Sequence, residues 1–109
     1  MAYDEGVVQR IREILEGRDE FAEKKMFGGI AFMHNGNMCV GVNKDRLMAR
    51  VGPEAHAEAI ARPHAREMDF TGRAMKGFVY VDPEGFAQEN DLIDWIALCE
   101  RFTGSLPAK

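Results

Sequence analysis

The densest run of apolar residues, at positions 27–42, is divided in two by the dipeptide Asn35-Gly36. A type I′ turn needs φ > 0 at both central residues, which Asn tolerates and Gly adopts without steric cost. The pattern therefore predicts a β-hairpin. Its cross-strand neighbours would be Met33 and Met38, Phe32 and Cys39, Ala31 and Val40, and Ile30 and Gly41.

Both faces of this hairpin are apolar, whereas a hairpin with one buried face alternates apolar with polar residues. One face would carry Ile30, Phe32 and Cys39, and the other Ala31, Met33, Met38, Val40 and Val42. We expect both faces to be covered, by helices, by another strand layer or by a second subunit.

Apolar residues at helical spacing predict three helices. The first spans residues 4–17, with Asp4 as its N-cap. A short second helix follows at residues 52–61 and ends there because Pro63 disfavours helix at the residue before it. The third spans residues 90–102 and presents a core-facing apolar stripe.

Three further segments are predicted to be extended from their alternation or their aromatic and β-branched content. They are Leu47 to Val51, Glu67 to Phe70 and Phe78 to Val81. Residues 18–25 are predicted to form a charged connector. The element order is then helix, three strands, helix, two strands, helix, which is an α+β fold in a single domain over residues 1–109, with a loose tail at 104–109.

The chain has 109 residues and a net charge of −4, which argues against nucleic acid as an obligate partner. Its two cysteines, Cys39 and Cys99, and its three histidines, His34, His56 and His64, show no metal-ligand or redox spacing. Both thiols are expected to be buried in a reducing compartment. We find no catalytic constellation, and we expect no cofactor and no metal.

No signal peptide is recognised at the start, where Asp4 and Glu5 stand in place of a basic segment, and no apolar run has the length of a membrane span. A cytoplasmic protein without a membrane partner is expected.

Five cations are candidates for contact with an anion or a partner: Lys24, Lys25, Arg50, Arg73 and Lys76. The lysine pair also suits a solvated strand edge that resists aggregation. Arg50 stands among apolar neighbours, where it would extend to solvent at a sheet edge, pair with a carboxylate or line a ligand cleft. The alternative for the others is that they are solvated loop charges.

The element order, the pattern Lys25-Met26-Phe27-Gly28-Gly29-Ile30-Ala31, the strand Leu47-Met48-Ala49-Arg50 and the last helix centred on Trp95 resemble the N-terminal domain of the TfoX/Sxy family. That family is linked to regulation of natural competence in bacteria. The resemblance implies a fold like that of secretion chaperones, with a curved antiparallel sheet flanked by helices, and it supplies no catalytic residues. We expect a stand-alone copy of this domain, without the helical C-terminal domain of the competence regulators.

Three functions remain open. The favoured one is a non-enzymatic regulatory module that binds a protein partner, or a second copy of itself, through a sheet face or edge; seven methionines suit an adaptable surface but also a core. The second is a nucleic-acid-associated regulator that uses the five cations. The third is an enzyme that uses Cys39 or a histidine, which requires an exposed thiol beside a base.

Overall fold

A computed structural model describes residues 3–26, 28–70 and 72–109. The helices are α1 (Glu5–Ile14), α2 (His56–Ile60) and α3 (Glu89–Thr103), and a single 3₁₀ turn spans Pro83–Phe86. The strands are β1 (Phe21–Met26), β2 (Gly29–His34), β3 (Asn37–Asn43), β4 (Arg46–Arg50), β5 (Ala65–Phe70) and β6 (Arg73–Val81). No described helix is long and apolar enough to span a membrane.

The six strands form one open antiparallel sheet in the order β1-β2-β3-β4-β6-β5. The predicted α+β fold, a curved antiparallel sheet with flanking helices, is confirmed. One strand, β1, was not predicted. It covers most of residues 18–25, which were expected to form a charged connector. It lies at the sheet edge with its four central residues exposed, and an edge strand tolerates charges on both faces.

The hairpin turn forms as predicted, with φ at 51° for Asn35 and 86° for Gly36. Met33 lies opposite Met38, also as predicted, but a bulge then shifts the register by one residue and places Phe32 opposite Val40. The predicted neighbours beyond the first pair are therefore wrong. Because both hairpin faces are apolar, burial does not specify the register, and a one-residue shift costs no hydrophobic contact.

The register shift moves Val40 and Val42 to the same face as Ile30 and Phe32. This helix-covered face packs with residues of all three helices into the main core. Trp95, in the middle of α3, belongs to that core and is buried. Its strand and helix members include Leu47, Ala49, Val79, Val81, Val8, Ile11, Ala59, Leu92, Ile96 and Cys99.

The N-cap of α1 is the predicted one, whereas α2 and α3 have no side-chain cap and begin at other residues than predicted. Asp4 caps α1, since its Oδ1 accepts hydrogen bonds from the backbone N–H groups of Gly6 at 2.8 Å and Val7 at 3.2 Å. The second helix is shorter than predicted, because residues 53–55 form a turn before His56. The third begins at Glu89, one residue before the predicted start, with Gln88 as its N-cap.

The C-terminal segment contacts the hairpin turn. The backbone N–H of Lys109 donates to the carbonyl of Asn35 at 2.8 Å, and Asn37 Nδ2 donates to the carbonyl of Pro107 at 3.0 Å. These bonds attach residues 107–109 to the hairpin turn between β2 and β3.

Candidate interaction face

The second face of the sheet carries a separate apolar cluster made only of strand residues, which we call the methionine face. All six strands contribute to it, and it holds six of the seven methionines of the chain. Its members are Met26, Ala31, Met33, Met38, Met48, Met68, Met75, Phe78 and Tyr80. Both faces of the predicted hairpin are therefore in apolar surroundings, but the second face packs against side chains of its own sheet.

The centre of the methionine face is closed and its rim is partly open. Met48 and Met68 are fully buried and Tyr80 is 5% exposed. Met26 and Met33, nearer the β1 edge, are only half-buried. Methionine is flexible and polarisable, so such a rim adjusts its shape to a partner at low cost.

Two adjacent rows of side chains, one on each face of the sheet, carry opposite charges at their ends. One row of neighbours on the methionine face, from β1 to β5, consists of Lys24, Ala31, Gly41, Met48, Tyr80 and Arg66. The adjacent row on the helix-covered face consists of Glu23, Phe32, Val40, Ala49, Val79 and Glu67. The first row ends in a cation at each sheet edge and the second ends in a carboxylate at each edge.

Arginine side chains lie over the aromatic rings of the methionine face. The guanidinium carbon of Arg46 is 3.9 Å from the ring centroid of Tyr80, and that of Arg66 is 5.6 Å from the same centroid. Arg50 lies 5.5 Å from the ring centroid of Phe78. Cations over ring faces are attracted by the ring quadrupole, and their stems cover apolar surface. Arg46 and Arg66 therefore place positive charge on this face, whereas Arg50, at the end of β4, lies between Phe78 and the ring of Phe102 in α3, whose centroid is 5.4 Å away.

These arginines differ in how they are paired. Arg66 forms an ion pair with Asp82 at 3.0 Å, and this hydrogen bond holds the pKa of Asp82 below its usual range. Arg50 donates to the backbone carbonyl of Met38 at 3.3 Å. Arg46 donates from Nη2 to Asn43 Oδ1 at 2.8 Å, while its Nε is buried without an acceptor among the described residues. A buried donor without an acceptor costs free energy.

The five cations singled out in the sequence do not all lie on one face. The register places Lys24 and Arg50 on the methionine face and Lys25 on the helix-covered face. Lys76 is exposed in β6. Arg73 belongs to the same strand, but its side chain lies outside the described part of the structure, as do Phe27 of the quoted family pattern and Thr71 of the predicted turn before β6.

Two functional candidates, Arg46 and Arg66, were missed in the sequence. Each of them directly precedes a predicted strand, Leu47 to Val51 for Arg46 and Glu67 to Phe70 for Arg66. The alternation Arg46, Met48, Arg50 along β4 was the signal that could have found the first of them, since residues two apart share a face. Arg66 gave no such signal, because its position opposite Tyr80 depends on a long-range strand pair.

The two thiols are free and buried, as predicted. Burial raises the pKa of Cys39 to about 11 and raises that of Cys99 well above its ordinary value. Both groups are protonated near neutral pH, whereas a nucleophilic cysteine needs a thiolate. The chemistry of these residues does not favour the enzyme hypothesis.

Fold and surface together define a small α+β domain with one helix-covered sheet face and one methionine-rich, arginine-lined face. The family model described as "TfoX N-terminal domain" matches residues 13–103 of the 109-residue chain. The chain belongs to this family. No curated protein and no solved structure gives a significant match.

Proposed function

We propose that this domain is a non-enzymatic regulatory module that binds a partner protein through the methionine face, and that it acts in the cytoplasm. The proposed occupant is an amphipathic segment with apolar residues on one side and Asp or Glu on the other. The observation that carries the proposal is the segregation of charge, since the row through this face ends in Lys24 and Arg66 and contains no carboxylate.

The apolar part of the proposed partner would pack on the half-buried rim of the methionine face. Met26, Met33 and Phe78 provide that rim, and methionine-rich surfaces recur where one site accommodates several apolar shapes. The acidic part would lie near the half-buried guanidinium of Arg46 and near the exposed Lys24. Opposite charges across an interface give specificity and faster association.

Two other occupants are less favoured by the same charges. A second copy docked face to face would bring Lys24, Arg46 and Arg66 towards the same cations of its twin. Nucleic acid would meet arginines already engaged with aromatic rings, on a chain whose net charge is −4.

Lys24 and Lys25 offer a matched pair of variants for the test. Both are exposed, they are consecutive in β1, and their side chains lie on opposite faces of the sheet. Lys24→Glu and Lys25→Glu change the net charge equally, so only the face differs. The probe is a labelled helical peptide with leucine on one side and glutamate on the other. Its binding is measured by fluorescence anisotropy and is compared with the binding of a lysine version of the peptide and of a DNA duplex.

We expect the glutamate peptide to bind more tightly than the lysine peptide or the DNA. Lys24→Glu should weaken binding about fivefold or more, because an exposed charge pair is worth up to about 1 kcal/mol, and Lys25→Glu should leave it nearly unchanged. Equal effects of the two variants would refute the face assignment. Tighter, salt-sensitive DNA binding would favour the nucleic-acid alternative, and self-association abolished only by Lys24→Glu would favour a dimer.

A further inference from the structure

Three potential metal ligands converge at the end of the sheet where the hairpin turn meets the last helix. They are Glu20, just before β1, His34, at the end of β2, and Glu100, in α3. One ligand atom from each residue lies within 4.8 Å of the others. The three residues come from three separate elements, so the fold itself brings them together.

The hydrogen bonds of His34 fix which ring nitrogen is free. Thr103 Oγ1 donates its proton to the carbonyl of Cys99 at 3.2 Å, so it acts as the acceptor for His34 Nδ1–H at 2.8 Å. Nε2 then carries the lone pair, which is the form that binds a metal. A hydrogen bond from the other ring nitrogen that orients the imidazole is the usual companion of a histidine ligand.

The imidazole of His34 is buried and stacks on a neighbouring aromatic ring. His34 is 6% exposed and stacks on Phe21, with ring centroids 4.6 Å apart and planes 9° from parallel. Its Nε2 has no hydrogen-bond partner among the described residues. Acceptor atoms of one imidazole and two carboxylates thus share one small region, and a cation bound there would satisfy them together.

Arg18 supplies the only positive charge that the described residues bring to this cluster. Its Nη2 lies 2.7 Å from Glu20 Oε2 and 2.5 Å from Glu100 Oε1, and these bonds lower the pKa of Glu20. The Arg18 side chain is 40% exposed and lies over the outer side of Phe21, 5.2 Å from the ring centroid. The single positive charge of Arg18 balances the charge of one of the two carboxylates. No hydrogen-bond donor among the described residues reaches Nε2 of His34.

We propose that Glu20, His34 and Glu100 form a binding site for a divalent transition-metal ion, which displaces the guanidinium of Arg18. One imidazole nitrogen and two carboxylate oxygens suit Zn²⁺ and its first-row neighbours, and an imidazole ligand disfavours Mg²⁺ and Ca²⁺. With three protein ligands, a fourth position stays open to water. The ion would connect the hairpin turn to α3, so its binding would stabilise the fold.

The test compares variants that break the Arg18–Glu100 ion pair from either side but have opposite consequences for the metal. Glu100→Gln removes a ligand, whereas Arg18→Gln removes only the competing cation. Calorimetric titration of the full chain with ZnCl₂ should show binding about 10- to 100-fold weaker in Glu100→Gln. In Arg18→Gln it should be about fivefold tighter than in the unaltered protein. A purely structural role for these ion pairs predicts no Zn²⁺ binding and a loss of stability in Arg18→Gln at least as large as in Glu100→Gln, because Arg18→Gln breaks both pairs.

Controls exclude unspecific metal uptake. Arg12→Gln and Glu23→Gln break a similar exposed ion pair elsewhere, and neither should alter Zn²⁺ affinity. MgCl₂ should give no heat of binding and no rise in melting temperature. The proposal is overturned if Arg18→Gln fails to bind Zn²⁺, or if Glu100→Gln binds it as tightly as Arg18→Gln does.

Discussion

The guanidinium carbon of Arg46 lies 3.9 Å from the ring centroid of Tyr80, and the Tyr80 ring itself is buried in the methionine face. The arginine therefore has two roles: it covers an aromatic ring and it places a positive charge at the centre of a sheet face. Its exposed area is limited, and its Nε is buried. A charge held in this way keeps its position, which is what selective recognition of a carboxylate requires.

Replacing Arg46 by Ala should lower the free energy of unfolding by about 1 kcal/mol, because a cation–π contact is worth about 0.5–2 kcal/mol and its stem covers the ring. Arg46→Lys should lose less, since it keeps a cation above Tyr80. Urea unfolding followed by circular dichroism measures both. Lys25→Ala, at an exposed position of β1, is the control and should change stability little. Equal stability of Arg46→Ala and the control would show that the contact contributes nothing.

The two buried thiols should be unreactive in the folded protein. Burial raises the pKa of Cys39 to about 11, so the thiol is protonated at pH 8 and its sulfur is inaccessible. Cys99 is also fully buried, and its pKa is raised. A disulfide reagent such as DTNB should react with both cysteines in urea and with neither under native conditions on the time scale of minutes. Rapid native reaction of either thiol would contradict the packing of β3 against α3.

Gly29 should tolerate no side chain. A Cβ at this position would collide with the backbone carbonyl of Val42 in β3, and a backbone atom cannot move aside as a flexible side chain does. Gly29→Ala should cost about 1–3 kcal/mol, the usual range for overpacking. Gly6→Ala in α1 is the control, because its Cβ would meet only the side-chain oxygen of Asp4 and alanine favours helix. If both variants unfold at the same urea concentration, the close approach of β2 and β3 is wrong.

Local features were predictable from the sequence and long-range ones were not. The turn at Asn35-Gly36, the N-cap Asp4 and the core-facing stripe of the last helix depend on residues close in sequence, and all three were predicted. The bulge beside Phe32 was missed because an apolar residue on either face satisfies burial equally.

The candidate surface was less predictable than the fold. Lys24 and Arg50 were singled out, but the row that unites Lys24 with Arg66 spans all six strands, and no local pattern encodes that pairing. Residues 21–25 were also assigned to a connector and not to a strand. The prediction therefore did not include the alternation of side chains that places Lys24 and Lys25 on opposite faces of the sheet. The cluster of Glu20, His34 and Glu100 was missed for the same reason, since its members are far apart in sequence and have no ligand spacing.

The ion pair between Arg12 and Glu23 should make stability depend on acid pH. Two hydrogen bonds, at 2.7 and 2.8 Å, join α1 to β1 and lower the pKa of Glu23. A carboxylate with a lowered folded-state pKa stabilises the fold above its unfolded value of about 4.3. That contribution is lost as the pH falls through the lower folded value. Both side chains are more than a third exposed, so the contribution at neutral pH should stay below about 1 kcal/mol.

Urea unfolding of the unaltered chain and of Glu23→Gln at pH 7 and pH 3 measures this contribution. Glu23→Gln should be less stable at pH 7, and the difference between the two proteins should shrink at pH 3, where the carboxyl group is largely protonated. Glu84→Gln, which removes an exposed carboxylate in the 3₁₀ turn, provides the comparison for a general change of net charge. If the difference between Glu23→Gln and the unaltered chain is the same at both pH values, the carboxylate does not stabilise the contact between α1 and β1 through its charge.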